Sequence, residues 1–163
     1  MHRRAVYPGS FNPVHHGHTD IMWRAARVFD ELIMAVYERP DKPDLFSTEE
    51  RIAFIQMEID RLELQNVKVA SFSGLLVNYV KDVEAFVIVR GLSVFSDFEF
   101  EFRMALANHR LAPDIEVVSF IASENTIHLS SSTVREIASL GGDVSSMVSS
   151  QVAAAIKERY TAR

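Results

Sequence analysis

The stretch that decides the fold is Val6-Tyr7-Pro8-Gly9-Ser10-Phe11-Asn12-Pro13-Val14-His15-His16-Gly17-His18. Residues 3–7 read as a short strand, and Pro8, Gly9 and Pro13 punctuate a tight loop after it. From about His16 the pattern turns helical, with Ile21, Ala25, Ala26 and Phe29 on a helical period. A strand, a loop and a helix start, in that order, place unpaired N–H groups and a partial positive charge at the loop, which suits an anion. Gly17 removes a side chain where a ligand would approach the backbone. His15, His16 and His18 crowd the same corner, and Ser10 adds a small hydroxyl, so the loop looks prepared for phosphate.

Outward from this loop, strands and helices alternate. Residues 31–37 form an apolar run of buried-strand type, and residues 38–46 a polar, proline-punctuated loop. Ser47-Thr48-Glu49-Glu50 is a capping box opening a helix that ends near Gln65. Residues 67–72 predict a strand, 75–83 a short helix, and 85–89 a strand running into Arg90-Gly91. A helix over 97–112 closes at Pro113, and a strand follows over 115–121. Residues 122–129 are an irregular loop. Ser130-Ser131-Ser132-Thr133 then caps a helix through Leu140, stopped by Gly141-Gly142, and residues 145–159 form the last helix. The alternation predicts one α/β domain over residues 1–163, a five-stranded, largely parallel sheet with helices on both faces.

Composition narrows the function. The net charge of −5 leaves no global basic field for nucleic acid or an anionic membrane, so a phosphate site must concentrate positive groups locally. The absence of cysteine removes disulfides, thiolate zinc sites and a cysteine nucleophile. No apolar stretch of signal-peptide or membrane-spanning length occurs, so the cytoplasm is the expected compartment. The six glycines form no G-x-G-x-x-G, no phosphate-binding G-x-x-x-x-G-K-[ST] loop and no G-x-S-x-G elbow. A zinc reading of the three histidines lacks cysteine and a neighbouring carboxylate.

In parallel sheets ligands bind beyond the carboxyl ends of the strands. The expected groups there are Ser10, Lys42, Ser73-Gly74, Arg90 and Ser130 to Ser132, on five loops of one edge. His18 can donate to a phosphoryl group and, when protonated, adds charge. Arg90 ends an apolar strand, and a buried arginine requires a carboxylate partner or a bound phosphate. The serine triplet reads either as a helix cap or as a second anion site.

These residues bring a family into view. Ser10, His15-x-Gly17-His18, Arg90-Gly91-Leu92, Asp97-Phe98-Glu99-Phe100-Glu101 and Leu129-Ser130-Ser131-Ser132-Thr133-Val134-Arg135-Glu136 together closely resemble bacterial phosphopantetheine adenylyltransferase over nearly the whole chain. The resemblance implies a Rossmann-like domain that transfers the adenylyl group of ATP to 4′-phosphopantetheine, giving dephospho-coenzyme A and pyrophosphate. By position, Ser10, Lys42, Leu76 and Arg90 would contact phosphopantetheine. Ser10, Phe11, His18, Gly91, Leu92, Ser93, Glu101, Thr126, Ile127, His128, Leu129, Ser130, Ser131 and Ser132 would contact ATP. His18, Lys42, Arg90 and Ser10 would carry the chemistry, magnesium would accompany ATP, and the chain would assemble as a homohexamer.

The attacking group of such a reaction is a phosphate oxygen, anionic at neutral pH, so a chain without a nucleophile–base pair suits it. Three positions depart from the family pattern: Asn12 replaces aspartate, His15 replaces threonine and Ser93 replaces a second arginine. His15, His16, Arg39 and His128 are the cations available to compensate at position 93. The first motif also resembles nicotinate or nicotinamide mononucleotide adenylyltransferase, the alternative in the same reaction class. A nucleotide-binding module without catalysis is the alternative outside it.

Overall fold

A computed structural model describes residues 1–96 and 98–162. Asp97, the expected first residue of the 97–112 helix, lies outside the described residues. In chain order the elements are β1 (Arg4–Gly9), α1 (His16–Ala26), β2 (Glu31–Tyr37), α2 (Thr48–Arg61), β3 (Val67–Phe72) and α3 (Leu76–Asp82). Then come β4 (Val87–Leu92), α4 (Phe98–Leu111), β5 (Glu116–Ile121), α5 (Ser131–Ser139) and α6 (Ser150–Thr161).

The described strands form a single sheet in the order β3-β2-β1-β4-β5, and every pairing is parallel. Side-chain alternation assigns each strand residue to a face. Ala5 and Tyr7 of β1, with Leu32, Met34 and Val36 of β2, pack on one face against Ile21 and Met22 of α1, Ile55 of α2, Val134 of α5 and Val152 of α6. Val6, Ile33, Ala35 and Ile88 point to the other face, where Val77 and Val80 of α3 meet Ala112 and Ile115. The expected architecture therefore holds, and the sheet is more regular than "largely parallel" suggested.

Boundaries moved where tertiary pairing overrides local pattern. β1 runs on through Pro8 and Gly9 because β2 keeps register with it to Gly9↔Val36. β4 begins two residues late and continues to Leu92, since Arg90, Gly91 and Leu92 pair with Ser119, Phe120 and Ile121 of β5. Arg90 thus lies within a strand rather than after one. α2 stops at Arg61 rather than near Gln65, and Glu63 beyond it takes a left-handed backbone, φ 54°. The final helix starts at Ser150, capped by Ser149, because Asp143 holds residue 145 in a turn by accepting from the Ser145 main chain and hydroxyl.

Candidate active site

The chain leaves β1 toward β2 and β3 on one side, and returns to place β4 on the other. This reversal opens a crevice at the carboxyl ends of β1 and β4, where open α/β sheets bind ligands. A cavity of about 490 Å³ lies there, and a second of about 570 Å³ adjoins it. Ser10, Phe11, His18, Leu76, Arg90, Gly91, Leu92, Ser93, Thr126, Leu129, Ser130 and Ser131 line the first. Lys42 and Ser132 line the second. Ser10, Phe11, His18, Arg39 and Ser131 line both and mark the junction.

The three remaining predicted contacts stand apart. Glu101 lines a separate cavity with Phe98 and Phe102 and reaches the site through Arg90. Ile127 and His128 line neither main cavity; the Ile127 carbonyl accepts from Val94 N at 3.2 Å, and His128 is exposed. Ser73 and Gly74 do not line the crevice either; Phe72 and Leu76 form that apolar end instead.

The corner of α1 is built from its histidines. His15 is the N-cap, and its Nδ1 accepts the Gly17 main-chain N–H at 3.0 Å. His18, three residues on, accepts the His15 main-chain N–H on its own Nδ1 at 3.1 Å. This is a capping box in which imidazoles take the usual roles of serine and glutamate. A ring that accepts on Nδ1 carries its proton on Nε2, so neutral His18 keeps one N–H donor to offer. Burial, then the neighbouring ring of His15, hold His18 well below the ordinary histidine pKa. Burial, then His16, lower His15 to about 4. The expectation of charge from His18 is therefore replaced by donation without charge. Gly17 is fixed by the same arrangement, since a Cβ there would meet the His15 ring at 2.8 Å.

Phe11 holds the other side of His18. Its backbone is left-handed, φ 48°, which turns the ring edge-on to Tyr7 at 5.3 Å and to His18 at 4.9 Å between centroids.

Arg51 was not foreseen from the sequence and anchors the loop. It is 2% exposed, and its guanidinium donates to the Ser10 carbonyl at 2.8 Å, the Tyr37 carbonyl at 3.0 Å and the Thr48 hydroxyl at 3.0 Å. Asp44 pairs with it at 3.2 Å and also accepts from Asn12 at 3.1 Å. The signal was present: Arg51 shares a core-facing helical row with Ile55 and Ile59, where an apolar residue belongs. Asn12 in turn accepts Phe46 N at 3.2 Å through its side-chain oxygen, so an amide suits a position with both a donor and an acceptor to satisfy.

Arg90 has found the carboxylate partner that its burial called for. Its Nε donates to Glu101 at 3.0 Å and its Nη2 to the other carboxylate oxygen, a forked pair from β4 to α4. Burial alone would lower the guanidinium pKa; the hydrogen bond and charge of Glu101 outweigh it and raise it. The fork uses two of the five N–H groups. The serine triplet divides its work: Ser130 caps α5 by accepting Thr133 N at 3.1 Å, and Ser131 donates to the Pro13 carbonyl at 2.8 Å, tying α5 to the first loop.

Among the described residues no three histidine or acidic side chains gather into a metal-holding group. No helix among them is long and apolar enough to cross a membrane.

Comparison with known proteins agrees with this geometry. Residues 6–137 match the family described as cytidylyltransferase-like. The phosphopantetheine adenylyltransferase of Roseiflexus sp. (strain RS-1) is 56% identical over 159 residues, covering 98% of both chains. That of Herpetosiphon aurantiacus is 51% identical over 96% of this chain and 93% of its own. Among solved structures, a Vibrio parahaemolyticus protein assigned as a nicotinate-nucleotide adenylyltransferase superposes with a TM-score of 0.73 at 17% identity, over 98% of this chain and 96% of that one. At that identity the likeness speaks for the fold. With a full-length match to named relatives and the crevice of a nucleotide-binding sheet, the chain belongs to the phosphopantetheine adenylyltransferase family of cytidylyltransferase-like nucleotidyltransferases.

Proposed function

We propose that this chain transfers the adenylyl group of ATP, taken up as its magnesium complex, to 4′-phosphopantetheine. The products are dephospho-coenzyme A and pyrophosphate, a step of coenzyme A biosynthesis in the cytoplasm. A phosphate oxygen of the acceptor attacks the α-phosphorus, and the bond from that phosphorus to the bridging oxygen breaks as pyrophosphate leaves. The observation that carries the reading is the junction of the two cavities at Ser10 and His18, where two anionic reactants can meet.

No side chain has to become a nucleophile, so the task is to align the reactants and stabilise growing charge. His18 offers its Nε2–H to the α-phosphate oxygens. Lys42 and the free edge of Arg90 hold the acceptor phosphate, with Ser10 beside them and Leu76 against the pantetheine arm. Gly91, Leu92, Ser93, Thr126 and Leu129 to Ser131 face ATP from the first cavity, and Glu101 keeps Arg90 in orientation. Asp44, which lines the second cavity, is engaged by Arg51, and Glu101 by Arg90, so magnesium would be held by the nucleotide phosphates rather than in a protein cage. The chain works as a homohexamer, with the exposed aromatic side chains around α4 meeting other subunits.

Pyrophosphate release on mixing the protein with ATP, magnesium and phosphopantetheine tests the reading. Release only with nicotinamide mononucleotide selects the mononucleotide adenylyltransferase alternative. ATP binding without turnover on either acceptor selects a non-catalytic module.

A further inference from the structure

Four cationic side chains line the two cavities: Arg39, Lys42, Arg90 and Arg135. Two already have protein partners. Arg90 is neutralised by the forked contact with Glu101, and Arg135 donates to the Asn12 carbonyl. The histidines add no charge, because His15 and His18 stay neutral through burial. Lys42 lines only the second cavity. Arg39 is the charged member of the set that lines both. Its Nη2 donates to the Ser10 hydroxyl at 2.7 Å, and among the described residues no carboxylate pairs with it within 4.0 Å.

Position 93 supplies no cation to the crevice. The Ser93 hydroxyl accepts from Phe95 N at 3.3 Å, and its main-chain N–H donates to Ser96, so the side chain closes its own turn. The sequence offered four compensating cations. Of these, His15 is a capped, neutral ring, and His16 and His128 line neither cavity. Arg39 remains.

We infer that Arg39 is a phosphate-binding residue at the junction, gripping the α-phosphate of the adenylyl group that passes between the two substrates, with Ser10 holding its guanidinium in place. The inference deepens the proposed function and rests on it for the identity of the substrates. A planar guanidinium on one anchoring hydrogen bond keeps N–H groups for two oxygens of a phosphate.

The experiment compares Arg39→Gln with wild type. Glutamine keeps a donor for Ser10 and removes the charge, and because Arg39 is exposed the variant should melt as wild type does. The expected result is a fall of about 10²-fold in kcat/KM for ATP and a rise of about tenfold in the ATP Kd. The salt dependence of ATP binding should also shrink, which a mere brace for Ser10 would not change. Wild-type kcat/KM in the variant overturns the inference and leaves the proposed function standing. If wild type itself releases no pyrophosphate with phosphopantetheine, the proposed function fails. The inference is then decided by ATP binding alone: an unchanged Kd in Arg39→Gln overturns it, and a tenfold rise sustains it.

Discussion

His15 and His18 close the first turn of α1 upon each other: the His18 ring accepts the His15 main-chain N–H at 3.1 Å, and the two rings stack with centroids 3.7 Å apart. Each ring thereby has its Nδ1 lone pair spent and its proton on Nε2. Nitrogen NMR of the ring atoms should find His18 as the Nε2–H tautomer and neutral at pH 6. A protonated His18 ring at that pH would contradict the capping geometry.

His18→Ala should cut kcat by about 10²–10³-fold, the usual loss for one transition-state donor, with a much smaller change in ATP affinity. Single-turnover rates with saturating ATP, beside calorimetric ATP binding, separate the two. A loss carried by binding alone would give His18 a ground-state role.

Acid should act on this corner in a definable window. His15 titrates near 4 in the folded chain, against an ordinary 6.5. As pH falls below about 6.5 the unfolded chain takes up that proton first, so stability drains until the folded pKa is reached. His15→Thr, which keeps an N-cap acceptor, should flatten the Tm-versus-pH curve between pH 6.5 and 4 relative to wild type. Parallel curves would show that the shift does not arise at His15.

Arg51→Met should cost about 3–5 kcal/mol, because it strands Asp44 in a nearly buried place and frees the Ser10 and Tyr37 carbonyls. Denaturant melts give the magnitude. The second variant Arg51→Met/Asp44→Asn should recover part of it, since the uncompensated charge is gone.

Phe95, Phe98, Phe102, Leu106 and Leu111 are all exposed on or beside α4, and clustered exposed apolar side chains mark an interaction surface. Sedimentation should return several times the 18.4 kDa chain mass, and Phe102→Glu should shift the distribution toward the monomer. Wild type running at the chain mass would refute the assembly.

The sequence announced the sheet because apolar runs such as residues 31–37 leave one reading, and parallel pairing then gathered the loop residues at one edge. Ser10, His18, Arg90 and the serine triplet were legible as local chemistry beside strand ends. Arg51 showed only as a charge on a core-facing row, since its purpose lies in long-range contacts such as the forty-one-residue reach to the Ser10 carbonyl. His15 was legible as a histidine near phosphate and not as a cap, because the role depends on which ring nitrogen faces Gly17. The extension of β4 through Leu92 was hidden for a similar reason: β5 supplies the register, and no local pattern encodes it.

None of the residues of α4 is buried, yet Glu101 on that helix holds Arg90 in the crevice. A helix with no side chain in the core is the first to fray on its own, and an orienting contact mounted on it frays with it. A second copy laid over the outer face of α4, as proposed above, would set how steadily Arg90 is aimed. On the proposed assembly, specific activity should depend on protein concentration: on serial dilution, rate per chain should fall before any loss of secondary structure, with KM for the acceptor rising first.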